Sequence, residues 1–142
     1  MIDIEDFFYR FCSFPWTDLE DRPKLVSAIR LLCERIPADV YEALPTITIL
    51  APYGGKYGQV TPAPDGVMIY LSAQLEDLEQ TESDFVLAHE FAHAFLGHWT
   101  REWWTQETDV SKEYLQQPSE IAADALCKRW GYEIPERRGR NA

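Results

Sequence analysis

Residues 85–97, with the sequence FVLAHEFAHAFLG, decide the fold of this chain. Their apolar side chains go almost all the way round a helix, which is typical of a helix that is buried on most sides. Only His89, Glu90 and His93 interrupt the apolar run. A buried polar group without a partner costs free energy, and a buried charge costs more. The stretch therefore predicts a central helix whose three polar side chains bind something.

The spacing of these three residues is that of a zinc-binding HExxH helix. His89 and His93 are four residues apart, so both rings leave the same face of the helix and can share one tetrahedral zinc ion. Glu90 lies about 100° round the helix from His89. Its carboxylate can take a proton from a water at the open position of the metal. We therefore predict two zinc ligands and a general base; the alternative is a chance match inside an ordinary core helix.

A catalytic zinc site usually has three protein ligands, so this site needs one more. The remaining histidine, His98, would point about 140° away from His93 if the helix continued. We therefore expect a carboxylate ligand, and Glu120, on a later helix with apolar neighbours, is the best candidate. Asp124 lies one turn after Glu120 and would accept a hydrogen bond from the far nitrogen of a ligand histidine. The alternative is that both carboxylates are simply solvated.

The rest of the chain predicts an α+β fold, with helices around a small sheet. Residues 46–50 (TITIL) and 67–71 (VMIYL) are rich in β-branched or aromatic residues and are predicted strands. Residues 51–66 hold three prolines and four glycines, which predicts a loop. Helices are predicted over residues 3–13, from Asp18 to about Arg35, and from Pro118 to just before Gly131. We expect one domain over residues 1–142, with residues 134–142 as a solvated tail.

Composition and charge exclude several classes of function. The net charge is −11 and the pI is about 4.6, whereas nucleic acids and anionic membranes are bound first through positive charge. No apolar run approaches the ~20 residues that span a bilayer. The three cysteines form no CxxC pair, and the N-terminus lacks the basic region of a signal peptide. These features predict a cytoplasmic protein with free thiols that binds neither nucleic acid nor membrane.

Residues 98–117 mix aromatic and charged side chains, and their pattern leaves two interpretations open. One is a lid packed over the core. The other is a surface for a substrate or partner, because Trp and Tyr are enriched at interfaces. An oxyanion-stabilising residue is also expected, and His98 and Tyr114 are candidates for this role.

Two motifs carry a family resemblance. Residues 87–98, LAHEFAHAFLGH, resemble the segment LAHELGHxLLGH of the ImmA/IrrE family of metallopeptidases, although Phe91-Ala92 stands where that family often has Leu-Gly. Residues 120–126 resemble the second motif of the family, and together the motifs follow the gluzincin pattern of HExxH plus a later ExxxD helix. The resemblance implies a minimal gluzincin-like fold, zinc bound by His89, His93 and Glu120, and Glu90 as general base.

These observations together predict a zinc metallopeptidase that acts on a protein or peptide. The resemblance implies a regulatory protein as substrate, which in family members is often a helix-turn-helix repressor. Two alternatives remain open. One is a binding or regulatory module that keeps zinc without proteolysis, and the other is a zinc hydrolase that acts on a non-peptide bond.

Overall fold

Helices and a small sheet follow one another in a mixed α+β order. The computed structural model of the protein describes residues 1–14, 19–53, 58–99 and 118–135. The predicted α+β class is confirmed. Over these residues the chain forms α1 (Ile4–Phe11), α2 (Pro23–Arg35), α3 (Ala38–Ala43), β1 (Ile47–Tyr53), β2 (Gly58–Ala63), β3 (Gly66–Ser72), a 3-10 helix (Ala73–Asp77), α4 (Gln80–Leu96) and α5 (Pro118–Arg129).

Several sequence predictions concern segments outside those ranges. The aromatic segment beyond Trp99, with Tyr114, lies outside the described residues. So do residues 136–142 of the predicted tail. The predictions for these two segments therefore stay predictions. The predicted start of the second helix at Asp18 is wrong, because α2 begins at Pro23, a residue suited to the first helical position, with Arg22 as its N-cap.

The sheet has three described strands in the order β1–β3–β2. β1 runs parallel to β3, and β2 runs antiparallel to it, so that Ile69 of β3 pairs with Ile49 on one side and Val60 on the other. Alternate side chains of β3 face the core, where Val67, Ile69 and Leu71 are buried. The sheet thus gives the helices one apolar face to pack against.

The predicted loop over residues 51–66 is wrong for most of its length. β1 continues to Tyr53, and β2 occupies Gly58–Ala63. β2 has no second neighbour among the described strands, so it is an edge strand of the described sheet. An edge strand tolerates a proline such as Pro62, whereas in a central strand the missing N–H would remove a hydrogen bond to a neighbouring strand. Over residues 58–66, the prolines and glycines therefore belong to an edge strand and to the turn that joins β2 to β3. The two central residues of this turn are Pro64 and Asp65.

α4 is the central helix of the described structure, as the sequence predicts. It packs against α2, α5 and the sheet, and its residues from Leu87 to Ala94 are all buried. It ends at the predicted residue, Gly97, whose φ of 78° is in the left-handed region that favours glycine.

α5 lies against α4 and starts at Pro118, as predicted from the sequence. Gly131, just past its end, has a φ of 92°. The buried inner face of α5 includes Ala123, Leu126 and Cys127. No helix within the described ranges is long and apolar enough to cross a membrane.

Candidate metal centre

α4 and α5 bring His89, His93 and Glu120 together in the interior. The Nε2 atoms of the two histidines are 3.0 Å apart. Glu120 places Oε1 3.0 Å from Nε2 of His89 and Oε2 2.8 Å from Nε2 of His93. The one-turn spacing on α4 brings the two rings to the same face, with their planes inclined by 86°, and the first turn of α5 supplies the carboxylate that contacts both.

This group fits the requirements of a metal ion. Its ligand atoms lie within 4.8 Å of one another, and two ligand atoms of a tetrahedral zinc ion would be separated by about 3.3 Å. The three residues are only 4%, 8% and 5% exposed, in chain order. Imidazole and carboxylate donors in this combination bind zinc and related divalent ions. The three side chains form a buried group that can hold a metal ion.

Glu120 carries a negative charge despite its burial. Burial by itself favours the neutral acid, but hydrogen bonds and charges from His89 and His93 outweigh it and hold the pKa of Glu120 well below its usual range. The carboxyl group is therefore ionised at neutral pH, as a metal ligand must be.

His89 is held from both ends of its ring. Its Nε2 faces Glu120, and its Nδ1 lies 3.3 Å from Oδ1 of Asp124, one turn further along α5. Burial disfavours its charged form, but hydrogen bonds to Asp124, Cys127 and Glu120 raise the pKa of His89 well above its ordinary value. A metal ion at this site would therefore compete with a proton for His89.

Glu90 is 7% exposed and lies where α4 meets the start of β2. A side chain at Gly58 would place its Cβ 3.0 Å from Cγ of Glu90 and 2.9 Å from Cγ1 of Val86. Sequence reasoning missed Gly58 as part of the site. The available signal was a glycine at the start of a strand, which often marks a close approach of the backbone to another group.

His98 does not point away from His93, as it would on a continuing helix. The helix stops at Gly97, and the chain turns back so that the Nδ1 atoms of His98 and His93 are 2.9 Å apart. Burial, with a smaller contribution from His93, lowers the pKa of His98 to about 4. His98 is therefore neutral at pH 7 and contacts the side of His93 opposite Glu120.

Comparisons of the chain with protein-family models, with curated proteins and with solved structures found no match. The likeness to the ImmA/IrrE family and to gluzincins therefore rests on the two sequence motifs and stays a prediction.

Proposed function

We propose that the protein is a zinc metallopeptidase with a gluzincin-like site. The observation that carries the proposal is the convergence of His89, His93 and Glu120 in the interior, with Glu90 next to the first ligand in the chain. Sequence spacing places the two histidines on one face of α4, but only the packing of α5 on α4 brings the carboxylate to them.

The composition of the site favours catalysis over a structural role. The metal-binding group found among the described residues has three members, which is the usual number of protein ligands at a catalytic zinc, whereas structural zinc sites are closed by four. Glu90 is a further buried carboxylate beside these ligands, and a structural site needs no base. The same arguments weigh against a module that only binds.

Each residue of the site has a role in the proposed reaction. His89, His93 and Glu120 would hold the ion, which when bound supplies Lewis acidity toward the scissile carbonyl and lowers the pKa of water. Glu90 accepts a proton from the attacking water and then donates that proton to the leaving nitrogen. Asp124 would keep the Nδ1 proton of His89 in place, which leaves the Nε2 lone pair available to a metal ion.

The substrate we propose is a protein or peptide, and a transcriptional repressor is the case that the motif resemblance implies. Hydrolysis of a non-peptide bond would use the same residues, and the products of the reaction would distinguish the two.

The substitution Glu90→Gln tests the proposal. It keeps the size and most of the hydrogen bonding of the side chain but removes its capacity to accept a proton at neutral pH. Zinc should stay bound, because Glu90 is not a proposed ligand. Cleavage of a fluorogenic peptide library should fall by about 10²–10⁴-fold, the usual contribution of general acid–base catalysis.

Glu133→Gln is the matched control, because it makes the same change of charge at an exposed position. It should change neither zinc content nor cleavage. If Glu90→Gln loses its zinc, Glu90 is a ligand and the roles are misassigned. If the wild-type protein binds zinc and cleaves no peptide in the library or repressor protein offered, the peptidase proposal is wrong.

A further inference from the structure

The end of α4 is built so that the chain folds back on His93. Gly97 takes the left-handed conformation, and its N–H donates to the carbonyl of Ala94. The N–H of His98 donates to the carbonyl of His93 over 3.0 Å. This is the pattern of a Schellman motif, in which the backbone N–H of the second residue after the helix donates to a carbonyl of the last helical turn. His98 is thereby fixed beside His93 by its own backbone.

The two nitrogens of His93 consequently have separate environments. Nε2 faces the metal-binding group, 2.8 Å from Oε2 of Glu120. Nδ1 faces Nδ1 of His98 at 2.9 Å, with the ring planes inclined by 60°. The contact is part-buried.

The chemistry of imidazole decides how the protons are arranged when a metal is bound. A hydrogen bond between two ring nitrogens needs one N–H and one lone pair. A neutral histidine that binds a metal through Nε2 carries its proton on Nδ1. His93 must then donate to Nδ1 of His98, which accepts with its lone pair and carries its own proton on Nε2.

We propose that His98 is a positioning residue that holds His93 in the Nδ1–H tautomer and so raises its affinity for the metal. The inference rests on the metal site of the proposed function, but not on peptide hydrolysis. The two ligand histidines are then supported differently. His89 has a carboxylate at Nδ1, from Asp124, and His93 has an imidazole at Nδ1, from His98.

Substitutions at position 98 test the proposal through zinc affinity, measured by competition with a chromophoric chelator. His98→Phe keeps a ring but removes the acceptor, and should weaken zinc binding by about 10–100-fold, as loss of a partner to a ligand histidine does. His98→Gln offers an amide oxygen as acceptor and should recover most of the affinity. Long-range ¹H–¹⁵N NMR of the zinc-loaded wild-type protein should find the proton of His93 on Nδ1 and that of His98 on Nε2.

Trp99→Phe is the matched control at the same helix end. It removes the hydrogen bond from the indole N–H to the carbonyl of Ala94, 2.8 Å long, and keeps the imidazole at position 98. Zinc affinity should therefore stay at the wild-type value. Equal weakening by Trp99→Phe and His98→Phe would overturn the inference, because it would indicate a general effect of helix-end packing.

The remaining outcomes separate this inference from the proposed function. Unchanged zinc affinity in His98→Phe refutes the role of His98 and leaves the peptidase proposal intact. Zinc binding with the expected effects at position 98, but no peptide cleavage, supports the role of His98 and refutes the peptidase. If His98→Phe does not fold, the NMR result on the wild type decides, and a proton on Nδ1 of His98 overturns the proposal.

Discussion

The approach of β2 to α4 predicts that Gly58→Ala will disturb Glu90, the proposed general base, without weakening the binding of a metal ion at the proposed site. The new Cβ would lie 2.9 Å from Cγ1 of Val86 and 3.0 Å from Cγ of Glu90. Favourable carbon contacts are about 3.5–4.0 Å long, so the overlap is about 0.5–1 Å. Val86 is β-branched and stiff in a helix, so we expect the start of β2 to shift away from it and the unbranched side chain of Glu90 to be displaced as well.

The size of the effect follows from this overlap. Overpacking of an interior site costs about 1–3 kcal/mol of unfolding free energy. A misplacement of about 1 Å in a catalytic group can cost about 10²-fold in rate. We therefore expect turnover of a cleavable peptide to fall by about 10–100-fold. Zinc affinity should stay within a few-fold of the wild type, because Glu90 is not among the proposed ligands.

The assay compares turnover, zinc affinity and urea unfolding in Gly58→Ala and in Gly131→Ala. Gly131 has a φ of 92°, so an alanine there should cost about 1–2 kcal/mol. Its nearest neighbour is the flexible guanidinium of Arg35, so turnover per folded molecule should not change. The reasoning is refuted if Gly58→Ala turns over like the wild type, or loses no more turnover than Gly131→Ala.

Three further predictions concern the surroundings of the site. Asp124→Ala should weaken zinc affinity by about 10–100-fold while the unfolding transition stays cooperative; an unchanged affinity in a chelator competition would show that Asp124 does not support His89. Gly97→Ala should lower the unfolding free energy by about 1–2 kcal/mol, because φ is 78° there, and urea titrations with an undiminished midpoint would contradict this. Burial raises the pKa of Cys33 to about 11 and that of Cys12 to about 12, so thiolates are scarce at pH 7. Both thiols should therefore react with iodoacetamide much more slowly in the native protein than in denaturant, and equal reaction rates in the two conditions would contradict this.

Much of the site could be predicted because it depends on the spacing of residues that are close together in the sequence. The helical period alone places His89 and His93 on one face, and Gly97 and Pro118 mark helix ends by their own backbone geometry. Glu120 is predictable as a partner of the two histidines because His98 would project away on a continuing helix and a carboxylate donor is needed, and the structure places its carboxylate oxygens within 3.0 Å of both rings.

The remaining features depend on tertiary contacts that spacing does not encode. β2 escaped prediction because Pro62 and Gly58 are loop signals in isolation and become acceptable only at a sheet edge. Likewise, the contact between His98 and His93 requires the reversal of the chain at Gly97, which a projection onto a continuing helix ignores. The close approach of Gly58 to Glu90 is visible only when the strand is placed against the helix.

The most direct test of the account is the metal content of the purified protein, measured by elemental analysis for the wild type and for Glu120→Ala. The account predicts about one zinc per chain in the wild type, by the three-ligand rule, and a large loss of zinc in Glu120→Ala, since the carboxylate that joins the two histidines is gone. A wild-type protein that contains no zinc and takes up none when zinc is added would contradict it, as would a Glu120→Ala variant with undiminished zinc content.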